Sequence, residues 1–460
     1  MDRGHVVGWE LQKTLWLRGL RSERILNASP AAAAAASKNP KRLGEAFRGA
    51  VITLPLLCLD SVAEAAREVA FGELGFSKVA LVPAAELAVA SWCFEEEQAK
   101  NRKNLPAASV ARAAIAVDVG FSATTACAVF DGRALLQTVR RVDLGGKALT
   151  NVLKDAVSFR AVDLRQEGAI VEAMKEGTSF VSLDLEKDLE DAKKGMNGLE
   201  WVLPDGTSGS GGGELGTKGK ARPLLSKEER KAAAKAAVLE ARAAAEKAAA
   251  EASANNKRPS SASKASKPKE PPKPKEETVV PLTLERFMVP EALFHPLDVG
   301  LPQGGIQEAV AACAAATPAP LRALLLSNVL LFGGGAACPG IAERLRREVR
   351  PLVPAEMEVV VRVAGGKEEE EWKSNGSSGG GDDKSDAGEN GKKSESNRNG
   401  PALAPWRGGS FLAGNLEWFE SRAMTRAQWE EAKRQKQQER EQQQQQQQKF
   451  GRFGGGGARR

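Results

Sequence analysis

The stretch AIAVDVGFSATTACAVF, residues 114–130, sets an aspartate, a glycine and two hydroxyls between apolar runs. Asp118 can hold a hydrated magnesium ion, Gly120 lets the backbone approach closely, and Ser122 and Thr124 add hydroxyl donors. Together these residues have the means to grip a phosphate. Asp-x-Gly is also ordinary hairpin-turn chemistry, so the motif alone leaves both readings open. A second stretch, NVLLFGGGAACPGIAERLRREV (328–349), reads as an apolar strand, a turn at Gly333, Gly334 and Gly335, and a helix opening near Pro339-Gly340. Three glycines ahead of a helix admit a ligand or another backbone at very short range. The G-x-x-x-x-G-K-[ST] phosphate loop occurs nowhere in the chain.

Other chemistry has little to build on. The two histidines, His5 and His295, have no Cys, Asp or His partners at metal-binding spacing, which favours turn or surface roles. There is no tyrosine, and the eight tryptophans and fifteen phenylalanines are scattered as core residues are, without forming a platform for single-stranded nucleic acid. Cys58, Cys93, Cys127, Cys313 and Cys338 are odd in number and widely spaced, which reads as buried thiols in a reducing compartment. The net charge of +7 permits contact with nucleic acid without demanding it. No secretory signal is apparent at the opening, and the longest apolar stretch, ALLLSNVLLF, is too short to cross a bilayer.

The elements that must position these residues alternate between strand and helix. Residues 1–26 predict a short strand and a helix carrying Trp9 and Trp16 on one face. AVITLPLLCL predicts a buried strand and turn, followed by a helix that Ser61 and Glu64 open as a capping box. KVALVPAAELAVASW predicts a strand leading into a helix, and RALLQTVRRVDLGGKALTNVLKDAV a strand, a Gly-Gly turn and an amphipathic helix. The alternation argues for an α/β domain with a mixed sheet.

Composition then divides the chain. Residues 1–206 form a first folded part, interrupted by an Ala-rich loop at 27–42. Residues 207–277 are an insertion with a flexible glycine-rich lead-in. It continues as an Ala-rich charged helix with a second capping box at Ser226 and Glu229, then a basic disordered tract with seven Lys/Arg against three Glu. Folded character returns over 278–364, a polar disordered insertion spans 365–400, a last folded segment runs over 401–435, and 436–460 is a Gln/Gly-rich tail.

Taken in order, RGHVVGWE, VITLPLL, IAVDVGFSATT, RRVDLGGKALTNVL, AMKEGTSFVSLD, WVLPDG, ERFMVPEALFHP, QGGIQEAV, NVLLFGGGAACPGIAERL and WRGGSFLAG resemble the actin superfamily. DAVSFRAVDL and RFMVPEALFHPLDVGLPQGGIQEAV are more similar to its nuclear actin-related protein 6 branch than to filament actin. The resemblance implies a two-lobed, ribonuclease H-like fold with nucleotide in the cleft, ATP with magnesium, clamped by two Asp-x-Gly hairpins and a glycine loop. Carried over, Asp118, Gly120, Ser122 and Thr124 are the second hairpin, with Asp118 reaching magnesium through water. Gly333, Gly334 and Gly335 are the adenosine-side loop, and Lys175 and Glu176 the base and ribose contacts.

Two departures set this chain apart from that pattern. By that resemblance the first hairpin and the opening strands are not in this sequence, which would leave a sheet edge that calls for pairing and implies an incomplete gene model or folding with a partner. Asp298 and Gly300 in PLDVGLP read as a loop and do not replace it. Where actins carry a water-orienting glutamine and histidine, this sequence aligns Ala84 and Thr125. The resemblance therefore implies a non-catalytic structural subunit of a nuclear Swr-type chromatin-remodelling complex that deposits a variant histone. Its partners would be a zinc-finger HIT-type protein and the motor ATPase, with nucleosome or DNA contact. The alternatives are a nucleotide-binding ATPase of the actin, Hsp70 and sugar-kinase superfamily, or a filament-forming cytoskeletal protein.

Overall fold

A computed structural model describes residues 4–22, 43–102, 113–160, 162–196, 198–203, 219–224, 278–365 and 400–454. The chain forms two units, Met1–Lys147 with Gly300–Ala337 and Ile341–Arg460, and Ala148–Val299 with Cys338–Gly340. The Ala-rich loop at 27–42, the charged helix expected from Ser226 and the basic tract after it lie outside the described residues. So does most of the 365–400 insertion.

In the first unit, helix α1 (Trp9–Leu20) carries Trp9 and Trp16 two turns apart, with the rings edge to face at 6.3 Å. The strand expected before it is reduced to a single bridge at His5. Strand β1 (Ala50–Leu54), helix α2 (Asp60–Arg67), strand β2 (Lys78–Pro83) and helix α3 (Ala84–Arg102) follow. Two expectations fail in this stretch. β1 is only half-buried, because it ends a sheet instead of lying inside one. α2 begins at Asp60 with Leu59 as an N-cap that makes no side-chain bond. Glu64, expected to close a capping box, instead accepts from Arg67 at 3.2 Å and from the indole N–H of Trp429 at 2.6 Å. A tertiary partner has displaced the local cap.

Strands β3 (Ala113–Val119) and β4 (Thr124–Phe130) form the expected hairpin, and β5 (Arg133–Ala134) and β6 (Arg140–Val142) pair with β4. The second unit holds helices α4 (Gly146–Arg160, beginning at the end of the first unit), α5 (Gly168–Thr178) and α6 (Leu185–Lys193), strands β7 (Leu199–Val202), β8 (Lys220–Pro223) and β9 (Val279–Leu282), and helix α7 (Glu285–Glu291). β8 and β9 flank β7 antiparallel. Strand β8, inside the stretch 207–277 read as an insertion, forms because β7 offers an edge and its buried Glu200 takes Arg222 at 3.1 Å.

The chain then returns to the first unit. It adds α8 (Ile306–Ala315), α9 (Ala319–Leu326), β10 (Val329–Phe332), α10 (Ile341–Val349) and β11 (Val361–Val363), then α11 (Ala404–Gly414), α12 (Leu416–Arg422), β12 (Met424–Thr425) and α13 (Arg426–Gly454). The last helix runs on through most of the Gln/Gly-rich tail.

Two sheets result. One has the order β11-β10-β3-β4-β5, with β6 also on β4; it is mixed, since β10 is parallel to β3 and β4 is antiparallel. The other is β1-β2-β12. Helix α3 serves both: Ala85, Ala88, Val89 and Trp92 pack with Ala114, Leu330 and Phe332, while Leu87 packs with Ala80 and Val82 of β2. Helix α11 closes on α3 at backbone contact, so that a Cβ on Gly408 would stand 1.8 Å from the Leu87 carbonyl oxygen.

Candidate functional site

Strand β3 delivers Asp118 to its carboxyl end because every residue from Ala113 to Val117 is buried, fixing the strand by its apolar run. Asp118 pairs with Thr125 of β4 on one side and lies alongside Phe332 of β10 on the other. Two neighbouring parallel strands therefore end together, and the space beyond their carboxyl ends is where open α/β sheets hold ligands.

The chain leaves β10 through Gly333, whose φ of +89° suits glycine. A Cβ there would lie 2.5 Å from Asp118 Oδ1 and 2.7 Å from the Val119 carbonyl oxygen. One on Gly335 would lie 2.4 Å from Val119 Cγ1, whereas Gly334 has open space around it. The loop backbone is thus pressed against the hairpin, and Gly334 to Ala337 close a short 3-10 turn. Burial pushes the Asp118 carboxyl up to about 7, and no cation among the described residues offsets it.

The rest of the hairpin turn is tied down. Gly120 N–H donates to the Ala123 carbonyl at 3.2 Å, and the carbonyls of Gly120 and Phe121 accept from the N–H groups of Gly146 and Lys147 at 3.0 and 2.8 Å. The buried Thr124 hydroxyl donates to the Leu144 carbonyl at 2.8 Å, which commits its proton to the fold. Ser122 is half-buried. Asp118, Gly120, Ser122, Thr124 and Gly333 to Gly335 thus all lie in the first unit, on the hairpin and the loop after β10.

Lys175 and Glu176 belong to the second unit, on α5. Lys175 Nζ donates to Thr150 Oγ1 at 2.9 Å, and burial holds its amine below the ordinary lysine range. Glu176 is exposed. A neighbour not foreseen from sequence is Cys338, whose thiol burial pushes up to about 12 against the pull of the Lys175 charge. Gly340, with φ +85°, sits against the Val181 carbonyl, and Val181 N–H donates to Pro339 at 2.8 Å. The signal was available in the sequence, because Cys338 lies three residues beyond Gly335.

Ala84 opens α3 with its methyl packed against the core, and Thr125 stands on β4 opposite Asp118. Pro296 to Val299 form a 3-10 turn ending at Gly300 with φ +80°, so PLDVGLP is a loop, as its sequence reads. Among the described residues no group of three or more His, Cys, Asp and Glu is placed to hold a metal. His295 lies on the surface, 3.5 Å from Glu291. Cys93, Cys127 and Cys313 are buried as expected. Cys58 and Cys338 are only half-buried as residues. No described helix is long and apolar enough to cross a membrane.

Comparison with known proteins places these features in context. Residues 1–380 match the family model described as Actin. Actin-related protein 6 of Oryza sativa subsp. indica is 29% identical over 436 residues, which cover 94% of this chain and 82% of the relative. Actin-related protein 6 of Drosophila melanogaster is 30% identical over 362 residues, covering 78% and 73%. The protein of that name from Arabidopsis thaliana is 28% identical over 434 residues, covering 94% and 82%.

Proposed function

Because this chain belongs to the actin family, we propose that it is a nuclear, non-catalytic structural subunit of a Swr-type chromatin-remodelling complex that deposits a variant histone. The observation that carries the non-catalytic part is the pair Ala84 and Thr125. An alanine methyl packed into the core has no group with which to orient a water, and a threonine hydroxyl is neither the base nor the amide that actin relatives place there. The complex and the nuclear setting rest on similarity to the actin-related protein 6 relatives. In this reading the actin fold is a platform for a zinc-finger HIT-type protein and for the motor ATPase, near nucleosomal DNA.

The glycine loop and the hairpin suit ATP with magnesium as a structural ligand. Gly333 and Gly335 let the loop backbone lie against Asp118 and Val119 at the hairpin turn, and among the described residues no cation offsets the burial of Asp118. Asp118 would hold the magnesium through water, Gly120, Ser122 and the glycine loop would take the phosphate and adenosine side, and Lys175 with Glu176 the base and ribose. Thr124 could contribute only as an acceptor, since its proton is already given to Leu144. When bound, the metal supplies the positive charge that keeps Asp118 ionised.

An ATPase of the same superfamily is the second reading, drawn from the same hairpin and glycine loop, and Ala84 and Thr125 count against it. Native purification with the associated proteins identified by mass spectrometry tests the proposal. It expects the motor ATPase and a zinc-finger HIT-type protein to co-purify. A solitary monomer recovered from nuclear extract would refute it.

A further inference from the structure

Helix α13 is anchored near its start. Trp429 stacks on Phe71 with ring centroids 5.3 Å apart and donates to Glu64 at 2.6 Å, and Lys433 Nζ meets Glu68 at 2.9 Å. Beyond that point the helix leaves the body. Every residue from 433 to 444 is exposed, and the helix runs on to Gly454. At 1.5 Å per residue, the stretch past Lys433 extends about 30 Å. Its glutamine, lysine, arginine and glutamate residues are all good helix formers, which suits a helix standing in solvent.

The chemistry of this arm narrows what it can bind. No apolar residue lies between Lys433 and Lys449, so the arm has neither the seam of a coiled coil nor the anchors with which a helix fills a protein groove. The same span has no aromatic ring on which an unpaired base could stack. It does have charge of one prevailing sign. From Arg434 to the end of the chain seven Lys and Arg stand against Glu439 and Glu441, and no acid follows Glu441. At 3.6 residues per turn, Lys436 and Arg440 share one side of the helix, and Arg434 lies roughly 120 to 160° round from them. A helix in the major groove of B-DNA has phosphates along both rims, and this spacing offers a cation to each. We propose that the α13 arm binds duplex DNA, with Arg434, Lys436 and Arg440 on backbone phosphates and the glutamine amides donating to phosphate oxygens beside them. The inference rests on the reading of this chain as a subunit that works beside DNA, and it names the part that makes the contact.

Fluorescence anisotropy of a labelled duplex of about 20 base pairs with the full chain, over about 50 to 200 mM salt, reads the contact. Binding is expected at low salt and should weaken steeply as salt rises. The triple variant Arg434→Gln, Lys436→Gln, Arg440→Gln should bind about tenfold more weakly or worse at low salt. Its plot of log affinity against log salt should be shallower by about 2 to 3. Lys187→Gln with Lys193→Gln, exposed on α6, should change neither. On the unaltered chain, duplex should slow tryptic cleavage after Lys436 and Arg440, a reading that stands even if the triple variant misfolds. No binding at low salt, a triple variant with the unaltered slope, a Lys187 and Lys193 variant that weakens as much, or unslowed cleavage would overturn the proposal. So would tighter binding of a single-stranded RNA of the same length. A chain that co-purifies with the motor ATPase yet ignores duplex would break this inference and leave the proposed function standing.

Discussion

The two sheets of the first unit are made of similar apolar strands but meet different ends. In the larger sheet, β3 has β10 on one side and β4 on the other, and its residues are closed from solvent. In the smaller, β1 is roofed on both faces and unpaired along one edge among the described residues. The contrast shows that burial of side chains and satisfaction of the backbone are separate requirements, and that β3 meets both. The larger sheet carries Asp118 and leads into the glycine loop.

Breaking what the sheets share should cost most. Gly408→Ala drives a methyl into the Leu87 carbonyl on α3, which packs on both sheets. A loss of about 3 kcal/mol or more is expected, read as a fall of the denaturant midpoint. Glu86→Ala comes next. Its carboxylate is buried, accepts from Ala134 N–H at 2.9 Å and pairs with Arg422 at 2.8 Å, so removing it strands the arginine. The expected loss is about 3 kcal/mol, with Arg422→Ala losing a similar amount and the double variant less than the sum.

Asp118→Asn isolates the larger sheet. Burial raises the folded-state value to about 7, so between the unfolded value near 3.8 and that point only the folded state keeps the proton. Stability contributed by this group is therefore full below pH 4, falls as pH rises toward 7, and is flat above. Urea titrations should show that slope for the unaltered chain, amounting to about 2 kcal/mol once partial solvent access is allowed for. Asp118→Asn should abolish it. Magnesium with ATP, if bound, should shift the slope to lower pH.

The smallest effect compares the sheets directly. Ile115→Val, in the closed sheet, should cost about 1 kcal/mol, and Ile52→Val, on the open edge, roughly half as much. Equal losses would mean that the edge is covered.

Much of this architecture was legible in the residues. The hairpin at 113–130 and the strand, glycine turn and helix at 328–349 follow from uninterrupted apolar runs punctuated by glycine, which are local signals. The misreadings were tertiary. AVITL looks like a buried strand because its residues do pack on both faces, and nothing in five residues records whether a neighbour follows. Ser61 and Glu64 have capping-box spacing, but Trp429, distant in sequence, takes the glutamate. The Glu86–Arg422 pair is equally silent, since its members are 336 residues apart. At the site, residue types announced the hairpin turn and the glycine loop beside it. That Thr124 has already spent its proton on Leu144 could be seen only in three dimensions.

Turnover of ATP by the purified full-length chain, followed under single-turnover conditions with magnesium, tests the central claim. The account predicts phosphate release no faster than that of the Asp118→Asn variant, whether or not nucleotide is retained. Release that is clearly faster and vanishes in the variant would contradict it.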